Sequence, residues 1–170
     1  MRGEPWESLT EAVAAFTNSR INEGANDKIT VVLHSNDAEI LAEFIDIVDF
    51  DLEMLKQYRG LGNDFSIALN QISVVIDEHK SHDIQTVLIF MSDGICRNGE
   101  TEMDRIYKRF REHNFKCFTI GFGNQSFENL KNLAQLGGGS YVHCPSAISL
   151  KTEFVTIASK HPSVSVTSTK

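Results

Sequence analysis

Thr86-Val87-Leu88-Ile89-Phe90-Met91-Ser92-Asp93-Gly94 is the stretch that decides the fold. From Thr86 to Met91 it is a continuous apolar run with no polar alternation. Such a run belongs to a strand covered on both faces, the usual state of a parallel sheet between helices. The flanking sequence supplies those helices. Phe65, Leu69, Ile72 and Ile76 recur at helical spacing and predict a helix from Asp64 to about His79, while Met103, Ile106 and Phe110 predict another. Phe115 to Phe122 reads as a second buried strand. A short helix through Leu130 and Leu133 follows, then a short strand at Ser140-Tyr141-Val142.

Toward the N-terminus, Trp6, Leu9, Val13 and Phe16 form one apolar stripe on a helix from about Pro5 to Ser19, with Pro5 in its first turn. Ile29 to Leu33 is a β-branched strand. Ile40 to Phe50 fits either a strand followed by a turn or a short helix. A last helix covers Ile148 to Ser159 and Pro162 ends it. Residues 1–161 form one domain, and 162–170, rich in serine and threonine, read as a linker or tail. Strands alternating with amphipathic helices imply right-handed crossovers and an α/β, doubly wound (Rossmann-like), mostly parallel sheet flanked by helices. Ligands of such sheets bind at the carboxyl ends of the strands. The informative loops therefore follow Leu33, Met91 and Phe122, together with the loop leading into the Asp64 helix.

Composition narrows the functional classes. Lysine plus arginine number 16 against 23 acidic residues, a formal net charge of −7. An acidic surface repels phosphate backbones and anionic lipid, so neither nucleic acid nor membrane insertion is expected. No stretch approaches the roughly 20 apolar residues needed to span a bilayer. Met1 to Ser19 lacks the apolar run of a secretory leader, and an intracellular, cytoplasmic location is expected. Three scattered cysteines (Cys96, Cys117, Cys144) make no disulfide framework, and Cys117 reads as a buried small hydrophobe.

Asp93, at the carboxyl end of a central strand, faces the ligand crevice, with Ser92 and Gly94 beside it; the alternative is a carboxylate that caps its own turn. Asn63 and Asp64 precede a helix, where one serves as N-cap and the other turns an oxygen to the same crevice. His34 follows a strand and could approach the crevice rim, although a solvent-facing edge position is the simpler expectation. His79 and His82 lie in a polar run and read as solvated. Gly60-x-Gly62 lacks the third glycine of a dinucleotide fingerprint, because Phe65 holds that place, and no phosphate loop occurs. The glycines at 121, 123 and 137–139 read as turn devices with positive φ. No nucleophile elbow, Cys-x-x-Cys pair or helical His pair is present, so no catalytic residue is assigned.

Ile89 to Gly94, Phe118-Thr119-Ile120-Gly121-Phe122-Gly123, and Leu130 to Tyr141 occur in the order and spacing of a von Willebrand factor type A domain. Gly62-Asn63-Asp64-Phe65 and Asp27 to Val32 resemble further segments of it, and the likeness runs from about Met1 to Phe154. The resemblance implies a protein-binding module whose metal-ion-dependent adhesion site holds a divalent cation, usually magnesium, completed by an acidic residue of the partner. It places Asp93 and Asn63 as metal ligands, Asn63 standing where the family has threonine. The family's Asp-x-Ser-x-Ser loop and its central first strand have no counterpart here. A fragment of a longer protein, a late start or a domain completed by another chain would each explain that. With one carboxylate and one amide, magnesium binding is expected to be weak or absent. The competing expectations are a metal-free scaffold domain of a larger assembly and, less well supported, a nucleotide-dependent enzyme.

Overall fold

A computed structural model describes residues 3–57, 62–81 and 84–160. Helix α1 (Glu4–Asn22) is followed by strands β1 (Lys28–His34) and β2 (Ala38–Asp46), and then by two 3₁₀ turns, Ile47–Asp49 and Leu52–Gln57. Helix α2 (Phe65–His79) leads to β3 (Val87–Ser92), α3 (Glu100–Phe110), β4 (Lys116–Phe122), α4 (Glu128–Leu136), β5 (Ser140–Cys144) and α5 (Ala147–Lys160). Each strand and helix expected from the sequence is present, with ends moved by a few residues. The ambiguous segment resolves as a strand and a turn. The second 3₁₀ turn was not anticipated; residues 162–170 and His82 lie outside the described residues.

The strands form two sheets rather than one. β3, β4 and β5 are parallel, with Val87 opposite Lys116, Ser92 opposite Gly121 and Phe122 opposite Cys144. β1 and β2 pair antiparallel as a separate hairpin sheet, and among the described residues no ladder joins β1 to β3.

Burial explains the sequence pattern. Phe90 and Leu88 face the cluster built by Phe65, Leu69, Met103, Ile106 and Phe110 of α2 and α3. Val87, Ile89 and Met91 face the opposite cluster, with α1 and α5. A strand between two apolar layers has no polar side, hence the unbroken run. Helix α3 is the contrast: Met103, Ile106 and Phe110 are fully buried on one stripe, Tyr107 is half-buried beside them, and the remaining residues are polar and half-buried or exposed.

The hairpin sheet carries an irregularity. Its register shifts at Val31, and Phe44 on β2 adopts a left-handed φ of 51°. The Phe44 N–H donates to Thr30 Oγ1 at 3.0 Å. The same distortion lays the Phe44 ring flat on His79, with centroids 4.2 Å apart, and Glu43 Oε1 lies 3.1 Å from His79 Nε2. His79 is therefore a packed residue and not the solvated one its polar neighbours in sequence suggest. The glycine expectation is also corrected in part. Gly123 and Gly138 have positive φ, but Gly139 is needed for closeness: a Cβ there would stand 1.8 Å from the Cys117 carbonyl oxygen.

Arg20, 3% exposed, fastens the far end of the fold. Its Nε and Nη2 donate to the two carboxylate oxygens of Asp27 at 2.6 and 3.1 Å, and Nη1 reaches the Ala158 carbonyl at 3.0 Å. One guanidinium thus joins the end of α1, the entry to β1 and the end of α5. Replacing Arg20→Met keeps the stem but strands Asp27 and a carbonyl. Asp27 is one-third exposed, so the loss is expected at the low end for such pairs, about 2 kcal/mol. A melting curve should then show Tm falling by roughly 4–8 °C for a chain of this size; an unchanged Tm would show that the clamp is dispensable.

Candidate functional site

The crevice is built where β1 and β3 end. The Asp64 N–H donates to the Ser35 carbonyl at 2.7 Å, which holds the start of α2 against the loop after β1. At the end of β3, Ser92 is buried, and its hydroxyl accepts from the Gly94 N–H at 3.1 Å and from Asn63 Nδ2 at 3.4 Å. Ser92 thereby ties the Asn63 side chain to the turn that carries Asp93. A Cβ at Gly94 would fall 2.8 Å from Asn63 Nδ2, so a larger residue there would displace the Asn63 amide. Asp93 itself is half-buried, and its carbonyl accepts from Gln125 Nε2 at 3.3 Å, which links it to the loop after β4.

Asp64 has a different task. Its Oδ1 accepts from the N–H groups of Ser66 and Ile67 at 3.0 and 3.3 Å and from Asn98 Nδ2 at 2.8 Å. It is the N-cap of α2, occupied by three donors, and gives the crevice a wall. Asn98 was missed in the sequence. Its Oδ1 accepts from the Phe65 N–H at 2.9 Å, its Nδ2 serves Asp64, and its carbonyl accepts from Asn129 Nδ2 at 2.9 Å. One residue, through its side chain and its carbonyl, thus joins the starts of α2, α3 and α4. The signal was the Asn-Gly dipeptide before the α3 stripe, with Gly99 at φ 98°.

His34 is placed against expectation. It does not face solvent at a sheet edge: its ring stacks on Phe90 at 5.0 Å, meets Phe65 edge-on at 5.7 Å, and puts Nε2 3.3 Å from the Met91 carbonyl. Beside the crevice lies an open cleft of about 380 Å³ whose lining includes Phe65, Ile95, Cys96, Phe127 and Asn129, with Ile95 63% exposed at its mouth.

The donor set near Asp93 is thus one carboxylate, the Asn63 amide and a serine hydroxyl already engaged by a backbone N–H. The carboxylate and the hydroxyl suit a hard cation, but Asn63 turns its Nδ2 rather than its oxygen toward Ser92, and the set falls short of the several oxygens that magnesium gathers. A separate trio, Glu43, Glu78 and His79, brings ligand atoms within 4.8 Å of one another at the C-terminal end of α2. Cys117 and Cys144 are poor nucleophiles: burial pushes the first thiol up to about 12 and the second up to about 11.

The family model of the von Willebrand factor type A domain matches residues 1–154. Solved structures agree at the level of fold. A von Willebrand factor type A protein from Catenulispora acidiphila superposes with a TM-score of 0.73 at 16% identity, over 91% of this chain and 38% of that one. Proximal thread matrix protein 1 of the mussel byssus, solved with a zinc-occupied MIDAS motif, gives 0.64 at 16% identity, over 92% and 42%. The manganese-loaded TRAP protein of Plasmodium vivax gives 0.57 at 17%, over 86% and 65%. The chain thus spans about two-fifths of the length of the first two. Among curated proteins no significant match is found.

Burial holds the His34 imidazole below its ordinary 6.5, against the opposing pull of the Met91 carbonyl. The sign follows directly. Below about pH 6.5 the unfolded chain takes up a proton at His34 that the folded chain resists, so stability falls as pH drops through that value. Urea unfolding at pH 7.5 and 5.5 should show a loss at the lower pH that is smaller in His34→Gln. An equal loss in both proteins would assign the pH dependence elsewhere.

Proposed function

Because this chain belongs to the von Willebrand factor type A family, we propose that it is a protein-binding module whose crevice at the end of β3 captures an acidic residue of a partner through a divalent cation. The observation that carries this reading is the convergence of Asp93, Asn63 and Ser92 on one turn, tied by the Asn63–Ser92 and Ser92–Gly94 hydrogen bonds. Asp93 would hold the cation, joined by Asn63 once its amide exchanges the hydrogen bond to Ser92 for an oxygen turned to the ion; the ion supplies the positive charge that a carboxylate of the partner completes. The metal-loaded relatives support a cation of this kind without specifying it: one carries zinc and another manganese. Magnesium is the ion expected from the family.

With so few protein ligands, cation and partner each raise the affinity for the other, as linkage requires. The adjoining cleft at Ile95 and Phe127 would receive an apolar residue next to the partner's acid. Catalysis is not part of this reading, because burial raises the Cys117 and Cys144 thiols and the proposed site needs no nucleophile.

An array of acidic peptides, probed with the chain in millimolar magnesium, tests the proposal. Retention should be lost on chelation and in Asp93→Ala, whose far-ultraviolet spectrum stays that of the parent. Retention that survives chelator would favour a metal-free scaffold using helix faces. Calorimetry of the chain with magnesium alone should find at most weak binding; submicromolar affinity would overturn the incomplete ligand set.

A further inference from the structure

Asn98-Gly99 is the one Asn-Gly pair in the sequence, and it stands at the junction where α2, α3 and α4 begin. Each half is there for its own reason. Gly99 is the N-cap of α3 with a φ of 98°, and a Cβ on it would stand 2.9 Å from Phe65 Cβ and 3.1 Å from Leu69 Cδ1. Asn98 has to be an amide. Its Oδ1 accepts from the Phe65 N–H at 2.9 Å and from the Cys96 S–H at 2.7 Å, while its Nδ2 donates to Asp64 Oδ1 at 2.8 Å. A carboxylate could make the first two bonds but not the third. Two separate structural needs thus place an asparagine amide next to a backbone nitrogen that no neighbouring Cβ shields.

That arrangement is chemically labile, and the closed junction holds the reaction off. For the amide to react, the Gly99 nitrogen must give its proton to a base in solvent and bond to Asn98 Cγ. Both atoms on Cγ are committed, Oδ1 to two donors and Nδ2 to Asp64, so Cγ cannot swing toward the nitrogen until those three hydrogen bonds break. Gly99 is held as well: it is buried, and its carbonyl accepts from the Met103 N–H at 2.9 Å. Once the junction opens, the new N–C bond closes a succinimide and the Cγ–Nδ2 bond breaks, releasing ammonia. Water then adds to one of the two ring carbonyls and reopens the ring as aspartate or isoaspartate. The net change is amide plus water to carboxylic acid plus ammonia, with nothing oxidised or reduced.

We propose that Asn98-Gly99 is a self-deamidation site, silent while α2, α3 and α4 meet and converted, when they part, into an acid that keeps them apart. The product has no donor for Asp64. It sets a second carboxylate where the amide stood, against that of Asp64, and two like charges at hydrogen-bond distance cannot both stay ionised without cost. The isoaspartyl form also adds a backbone carbon just ahead of α3. Cys96 and Asn129, both bonded to Asn98, line the cleft beside the crevice, so a one-way chemical change at the junction reaches the cleft wall. The inference stands on this junction alone and is independent of cation or partner capture.

The test incubates the full chain in mildly alkaline buffer, with and without denaturing guanidinium chloride, and follows the peptide carrying Asn98 and Gly99 by mass spectrometry with separation of the aspartyl and isoaspartyl forms. Conversion in denaturant should outrun conversion in the folded chain by about tenfold or more, since only the open fraction reacts. Equal rates in the two conditions would overturn the guard, and no conversion in denaturant would overturn the site. Two variants test the consequence. Asn98→Asp should lower Tm by roughly 4–8 °C. Adding Asp64→Asn, which returns an amide donor opposite the new acid, should recover most of that loss. An unchanged Tm in the single variant, or a double variant no more stable than the single one, would overturn the latch. If the single variant does not fold, the double variant must; failure of both to fold would overturn it as well.

Discussion

Everything in this fold depends on helices that bridge two sheets sharing no ladder among the described residues. Sheets are ordinarily held by backbone hydrogen bonds, with helices as cover. Here the bond network stops at β1 and at β3, and continuity passes to apolar side chains of α1 and α2 together with the Arg20 clamp. Val13 matters out of proportion to its size because it belongs to both clusters. Dispersion and burial are non-directional, so they position two sheets less strictly than a ladder would. The directional contacts that do cross carry the alignment: Arg20 at one end, and at the other the Asp64 N–H to Ser35 carbonyl bond with the His34 ring.

How legible this was in the sequence depended on where each residue's partners lie. The buried strand 86–91 and the stripes on α1, α2 and α3 could be read because periodicity records burial directly. Ile40–Phe50 could not be settled, since β2 contains a left-handed Phe44 and a register shift that break strict alternation. The histidines misled for a related reason. His79 is surrounded in sequence by polar residues, yet its ring lies on Phe44, 35 positions away, and His34 is stacked on Phe90 from another sheet. Polarity of sequence neighbours carries no information about such contacts. The role of Asn98 was hidden likewise, because its partners are the Phe65 N–H, the Asp64 carboxylate and the Asn129 amide, brought together from separate helix starts.

The candidate site shows two adjacent acids divided by geometry. Asp64 is drawn into capping by two backbone donors and an amide, which makes it a structural wall. Asp93 sits on a turn whose shape is set by Ser92 and Gly94, with its carbonyl bonded to Gln125. Asn63 lies between the two, on the chain that caps and beside the turn that carries Asp93. Spacing alone indicated that one of the pair Asn63–Asp64 would cap; it could not say which, because both residue types cap helices well.

The chain contains a single tryptophan, and its surroundings have a spectroscopic consequence. Trp6 donates its indole N–H to the Leu55 carbonyl at 2.8 Å and packs with Ile29 and Val31 on the hairpin side of the molecule. Its fluorescence therefore reports the seam between α1 and the smaller sheet and is blind to the parallel sheet beyond. Tyrosine and phenylalanine ellipticity, weighted toward the larger sheet and its helices, records the other half. Emission and ellipticity measured on one sample thus act as two separate gauges, and the gap between their midpoints measures how tightly the two sheets melt as one.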